Sequence, residues 1–423
     1  MNRLISRFLT LNLAVGPVCP PRATEPNERS AGALGTGAPY PSRFTAPMRG
    51  QPRWTSPLSM SHPRSRRGNE AERGGDVAIR LLTSAAARFV ALLLAAICGL
   101  GGSAHAATVR LRLATLAPKD TSFHQSLQSM GEKWKQTSNG GVTLTIYTDG
   151  TMGGEADMVR RMRVGQIQAA LISGSGLAQI DDSVTALQAM PMIYRSFAEF
   201  EYVQDQLRPM IEKRMLEKGF VVLFFGDAGW VKFFSKRAGT LPAEFVKMKM
   251  FAWVGDSRTI EVMKAIGVDT VPLEQTDILT GLQTGMIEVV PTIPVVALTG
   301  QLYGPASHVL DLNWTPLMGA AVITKKAWDS VPEKQRPAML AAAAEAGEQI
   351  RKRSRLEADE AIVAMQKRGL KVTTLTPEQL GEWRKFTETV YPKIRGKNVP
   401  ADMFDEVQRL LTEFRAKPGG AAK

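Results

Sequence analysis

Cysteine is scarce: the 423 residues hold two, Cys19 and Cys98. Beyond them the chain has no thiol to close a disulfide, ligate a metal or attack a substrate. Histidine is scarce too. After residue 106 only His124 and His308 remain, and neither sits in the H-E-x-x-H spacing of a zinc site. His124, beside Phe123 at a strand-to-helix junction, reads as a structural histidine. No Ser-His-Asp or Cys-His set can be assembled without arbitrary choice. The glycine turns Gly153-Gly154 and Gly174-Ser175-Gly176 complete neither a dinucleotide nor a P-loop fingerprint. These absences point away from an enzyme, a metal centre and a cofactor.

Concentrated charge is lacking as well. Of the net charge of +13, the first 106 residues supply 8 through 13 Arg set against 5 acidic residues, so a surplus of 5 is spread over the other 317 positions. That is too thin to build a phosphate-tracking groove, and it argues against a nucleic-acid partner. No apolar run approaches the roughly twenty residues that a membrane-crossing helix needs.

What the front of the chain does contain is a leader pattern. Arg80 and Arg88 precede an apolar run from Phe89 to Leu100, which ends in Ala104-His105-Ala106. A positive region, a short apolar core and a small-x-small site predict a secretory leader over 77–106, cleaved after Ala106. The 76 residues ahead of it are rich in Pro, Gly, Ser and Arg with little apolar periodicity, so they read as a disordered or wrongly assigned extension.

From Ala107 onward, short apolar strands alternate with amphipathic helices, the order that gives parallel sheets covered by helices. Val109, Leu111 and Leu113 alternate with Arg110 and Arg112, as do Val142, Leu144 and Ile146 with threonines. Between them Phe123, Leu127, Met130 and Trp134 form one helical stripe. The runs Ala169–Ile172, Val221–Phe225, Ile287–Val290 and Ala321–Thr324 read as buried strands. Helices are expected to stop at Gly219, Gly267 and Gly285. The S-x-x-E box at Ser330 and the T-x-x-Q box at Thr376 each predict a helix start, so the last hundred residues are expected to be mainly helical. The fold class is α/β, with length enough for two cores.

Five blocks in order then carry a resemblance over most of this part. They are LATLAPKDTSFHQSL from Leu113, DGTMGGE from Asp149, VGQIQAALIS from Val164, VKMKMFAW from Val246 and LTGLQTGMIEVV from Leu279. This order resembles the solute receptors of tripartite ATP-independent periplasmic (TRAP) transporters, of the dicarboxylate-receptor type. The resemblance implies a two-lobed periplasmic binding protein, its ligand cleft between lobes joined by crossing strands, and a long helix spanning both. It implies lobe one at 107–228, lobe two at 229–316 and lobe-spanning and C-terminal helices over 317–423. The partners it implies are a small-molecule ligand and the membrane permease subunits of the transporter.

One strand departs from that family. Placing Met248-Lys249-Met250 on its "LKI" puts Phe251 where the family usually has an arginine that grips a ligand carboxylate. A phenyl ring cannot donate those bonds, each worth roughly 1.5–3 kcal/mol. Trp253 lies two residues on, on the same strand face. Trp230 and Phe233 lie near the first crossing, Phe233 with Phe234 in a run that suits a core equally well, and Thr292 falls near where the family often offers an asparagine. Phe251, Trp253, Trp230, Thr292 and Phe233 are therefore the candidate ligand residues, and they suit an apolar or amphipathic ligand. The same substitution resembles the branch of the family associated with a tetratricopeptide-repeat partner. A sensing or scaffolding module on the same fold is the alternative to transport.

Overall fold

The computed structural model describes residues 108–417. The expected leader, its cleavage site and the extension over 1–76 lie outside them. No helix among the described residues is long and apolar enough to cross a membrane.

Two sheets form two lobes. Strand β1 (Val109–Thr115) pairs in parallel with β2 (Val142–Tyr147) and β3 (Ala169–Ser173). Helix α1 (Ser122–Thr137) connects β1 to β2 and buries its whole expected stripe, with Trp134 fully enclosed. The Trp134 indole N–H donates to the Met339 carbonyl at 3.0 Å, so the ring's polar edge is satisfied as well as its faces. Helix α2 (Glu155–Arg163) leads into β3, and α3 (Phe197–Glu217) leads into β4 (Phe220–Trp230).

After Trp230 the chain crosses at Val231 straight into β5 (Lys232–Ser235) of the second sheet. That sheet adds β6 (Met250–Trp253), β7 (Thr270–Leu273), β8 (Val289–Thr292) and β9 (His308–Leu310), with helix α4 (Ser257–Ala265) between β6 and β7. The chain returns through 311–315 to β10 (Pro316–Thr324), which lies between β3 and β4. The two crossings hold each other: Val231 N–H donates to Thr315 (2.9 Å) and Trp314 N–H to Val231 (3.1 Å).

The sheets are mixed rather than parallel as expected. A chain that returns from the other lobe enters from the opposite end, so β10 runs antiparallel to β3 and β4, and β5 likewise to β8 and β9. Helix stops fall at Gly219, Gly267 and Gly285, whose φ values of 85°, 83° and 75° are left-handed.

Helix α5 (Arg336–Gln366) has 31 residues, about 46 Å at 1.5 Å per residue, and packs on β4 and α1. It starts later than the Ser330 box suggested, because the Ser330 hydroxyl donates to the Ala327 carbonyl instead of capping. Pro337 then sits in the first turn, where its missing N–H costs nothing. The second box works as expected: Thr376 accepts from the Gln379 N–H and opens α6 (Pro377–Ile394). Helix α7 (Ala401–Ala416) buries Met403, Phe404, Val407, Leu410 and Leu411, each worth about 1.5–3 kcal/mol of burial. Between α5 and α6, β11 (Lys371–Thr373) joins the second sheet beside β9.

Candidate functional site

Between the two sheets lies a cavity of about 450 Å³. Its walls come from the segment after β3, from β6 and α4, from the crossing residues and from the C-terminal end of α6. Phe251 and Trp253 line it, their rings edge to face with centroids 4.8 Å apart. Trp314 and Met263 add further apolar wall.

The other three candidates lie elsewhere. Phe233 is buried in an aromatic cluster with Phe245, Trp314 and Trp383, at centroid distances of 5.5, 5.1 and 5.7 Å. Trp230 packs on Phe197 at 4.9 Å. Thr292 pairs with Lys232 in the sheet, and its neighbour Pro291 reaches the cavity instead. Sequence reasoning missed Trp314, Asp256 and Asn398, which line the cavity from a crossing, a helix cap and the end of α6.

The cavity is closed by contacts from one lobe to the other. Ser175 Oγ donates to Asp256 Oδ2 (3.0 Å), Gln179 Nε2 to the Gly255 carbonyl (3.2 Å) and Arg258 Nη1 to Asp182 Oδ2 (2.9 Å). Gly255 takes φ 87°, and a Cβ there would come within 3.1 Å of the Ala156 Cβ, so only glycine permits this close approach without displacement.

A smaller cavity of about 110 Å³ adjoins the same seam; it shares Leu317 with the larger one and holds Glu155, Ser173 and Asp227 in its lining. Glu155 accepts from the Ser173 N–H (2.7 Å) and hydroxyl (2.6 Å). Burial nevertheless pushes its carboxyl above the usual range, with the charge of Asp256 adding to the rise. A carboxyl whose pKa is raised by folding stabilises the protein fully below the unfolded value of about 4.3, and that contribution is lost as pH rises through the folded value. Glu155→Gln, which cannot ionise, is therefore expected to gain melting temperature relative to wild type as pH is raised from about 4 to about 8. A difference that does not change with pH would refute this.

Asp227 is the second buried carboxylate. Arg355 of α5 grips it through two bonds, Nε to Oδ1 at 3.0 Å and Nη2 to Oδ2 at 2.7 Å, and also reaches Glu201 at 2.8 Å. The same guanidinium stacks over Phe197 at 3.8 Å, and Phe197 also packs on Trp230. This network ties the long helix to β4 just before the crossing. Among the described residues no group of three His, Cys, Asp or Glu is placed to hold a metal ion.

With this geometry in place, comparison with known proteins is specific. Residues 113–398 match the model of "Bacterial extracellular solute-binding protein, family 7". The C4-dicarboxylate-binding periplasmic protein DctP of Rhodobacter capsulatus is 21% identical over 306 residues, covering 72% of this chain and 91% of that one. An uncharacterized Salmonella typhimurium protein is 23% identical over 186 residues, 44% of this chain and 56% of its own length, so the chain spans little more than half of it. The crystal structure of a TRAP periplasmic solute binding protein from Shewanella oneidensis, with bound succinate, superposes with a TM-score of 0.67 at 18% identity, covering 72% of this chain and 99% of that one.

Proposed function

The chain belongs to family 7 of the bacterial extracellular solute-binding proteins, and on that premise we propose that it is a transport receptor, not an enzyme, whose lobes close on an apolar or amphipathic molecule. The ligand is handed to the permease subunits of a TRAP transporter, with a tetratricopeptide-repeat protein as a further partner. The protein works in the periplasm after cleavage behind Ala106. The lobes, residues 107–228 and 229–316, hinge at Val231 and the 311–315 return.

The observation that supports this reading is the cavity wall. Phe251 and Trp253 line a cavity in which, among the described residues, Arg258 is the one cationic lining residue, and its guanidinium also donates to Asp182. A dicarboxylate would find one guanidinium there, shared with Asp182 and nearly half exposed, whereas an apolar face gains about 25 cal/mol for each Å² it buries. Size matters to this balance, because only a sizeable ligand replaces a lost ion pair in that way.

Native mass spectrometry of freshly purified protein tests the proposal by identifying a co-purified molecule. The expected result is a compound with a substantial apolar part, lost from Trp253→Ala, which weakens binding by about 1–3 kcal/mol. Phe251→Arg is expected to weaken it similarly. Co-purification of a small dicarboxylate or sugar acid, held equally by both variants, would sink the proposal.

A further inference from the structure

Two acceptor-bearing side chains of the larger cavity, Asp256 and Asn398, stand at one corner. Asp256 caps α4, taking the Thr259 N–H at 3.2 Å on one oxygen and the Ser175 hydroxyl at 3.0 Å on the other. Asn398 stands at the same corner: its Nδ2 donates to Thr259 Oγ1 at 3.4 Å, so Thr259 touches both residues. Asn398 is 5% exposed, lines the cavity, and its side-chain carbonyl takes no hydrogen bond among the described residues. That oxygen is left available to an incoming donor.

Charge points the same way. Asp256 and Arg258 are the charged residues of the lining, and Arg258 is matched by Asp182. The positive end of α4, equivalent to about half a charge, offsets Asp256 only in part. An incoming carboxylate would meet Asp256 and would have to share the Arg258 guanidinium with Asp182. An incoming ammonium would meet a carboxylate, an open carbonyl and, through the Trp253 carbonyl that accepts from the Asp256 N–H at 3.2 Å, an aromatic wall one turn away.

We propose that the cavity selects an amphiphile with a primary ammonium head, seated against Asp256 and Asn398 with its apolar body against Trp253, Phe251 and Trp314. This rests on the receptor reading above and adds the head group to it. Asp256 then serves as a specificity residue that admits cations and rejects acids.

The test is calorimetric titration of the intact protein with tryptamine, tryptophol and indole-3-acetate, which share one ring system and differ in the head. Wild type should bind tryptamine roughly tenfold or more tighter than tryptophol, the scale of one charge-assisted bond, and indole-3-acetate weakest. Asp256→Asn keeps a good helix cap, so its melting temperature should hold while the preference for tryptamine over tryptophol disappears. Asn398→Ala should reduce tryptamine affinity and leave tryptophol less affected. Equal binding of tryptamine and tryptophol would overturn the ammonium head while leaving the apolar cavity standing. Binding of indole-3-acetate alone, or of none of the three, would overturn the proposal, and tight binding of succinate would bring down the apolar-ligand reading with it.

Discussion

Replacing Arg355 with alanine is expected to lower the stability of the protein by about 3–5 kcal/mol, the cost of leaving a buried carboxylate without its partner. Asp227 has a side chain only 1% exposed, so water cannot take over the two bonds that Arg355 makes. Arg351, whose Nε lies 4.0 Å away, is too distant to substitute for them. The loss should appear as a lower urea midpoint with an unchanged slope. Pairing Asp227→Asn with Arg355→Met should recover part of it, because the charge that suffers is then gone. Since Asp227 lies on β4 close to the Val231 crossing, the single variant should also bind the co-purified ligand more weakly. A change below about 1 kcal/mol would mean that the pair behaves as an exposed one.

Arg415→Ala is expected to cost a similar amount, about 3–5 kcal/mol, at Glu199, two residues from the Glu201 that Arg355 reaches on α3. Arg415 of α7 donates from Nε and Nη2 to Glu199 at 2.8 Å each, and from Nη2 to the Ile193 carbonyl at 2.7 Å. Glu199, 1% exposed on α3, also accepts from the Arg195 N–H at 2.7 Å. The C-terminal helix is thereby fastened to the first lobe rather than left to pack by its apolar face alone. Chain truncation before Arg415 should reproduce the loss, measured by thermal or urea unfolding. Unfolding that matches wild type in both variants would show that the apolar face of α7 suffices.

Much of this fold was legible in the sequence because short-range patterns decide it. The stripe from Phe123 to Trp134 can be satisfied only on one face of a helix, and the box at Thr376 closes within three residues. Order among the strands was not legible. The sequence of β10 says that it is buried, but its place between β3 and β4, and its direction, follow from the return crossing at 311–315. β11, three residues long, exists only because β9 offers an edge.

The site divides in the same way. Phe251 and Trp253 were singled out by their place two residues apart on one strand, and both line the cavity. Phe233 has the same chemistry, yet its ring faces Trp383 of α6, a residue 150 positions away, and nothing local announces that cover. Asp256 and Asn398 escaped notice because each has an ordinary local explanation, a helix cap and a polar residue in a turn. Their meeting at Thr259 is a long-range event.

A calorimetric titration of the ligand-free protein with succinate tests most directly the proposal that an aromatic wall stands in place of a carboxylate grip. No measurable binding is expected up to about 1 mM, a level at which even about 4 kcal/mol of binding free energy would register, while Phe251→Arg alone is expected to show heat. Saturable binding of succinate to the wild type in the micromolar range would contradict it.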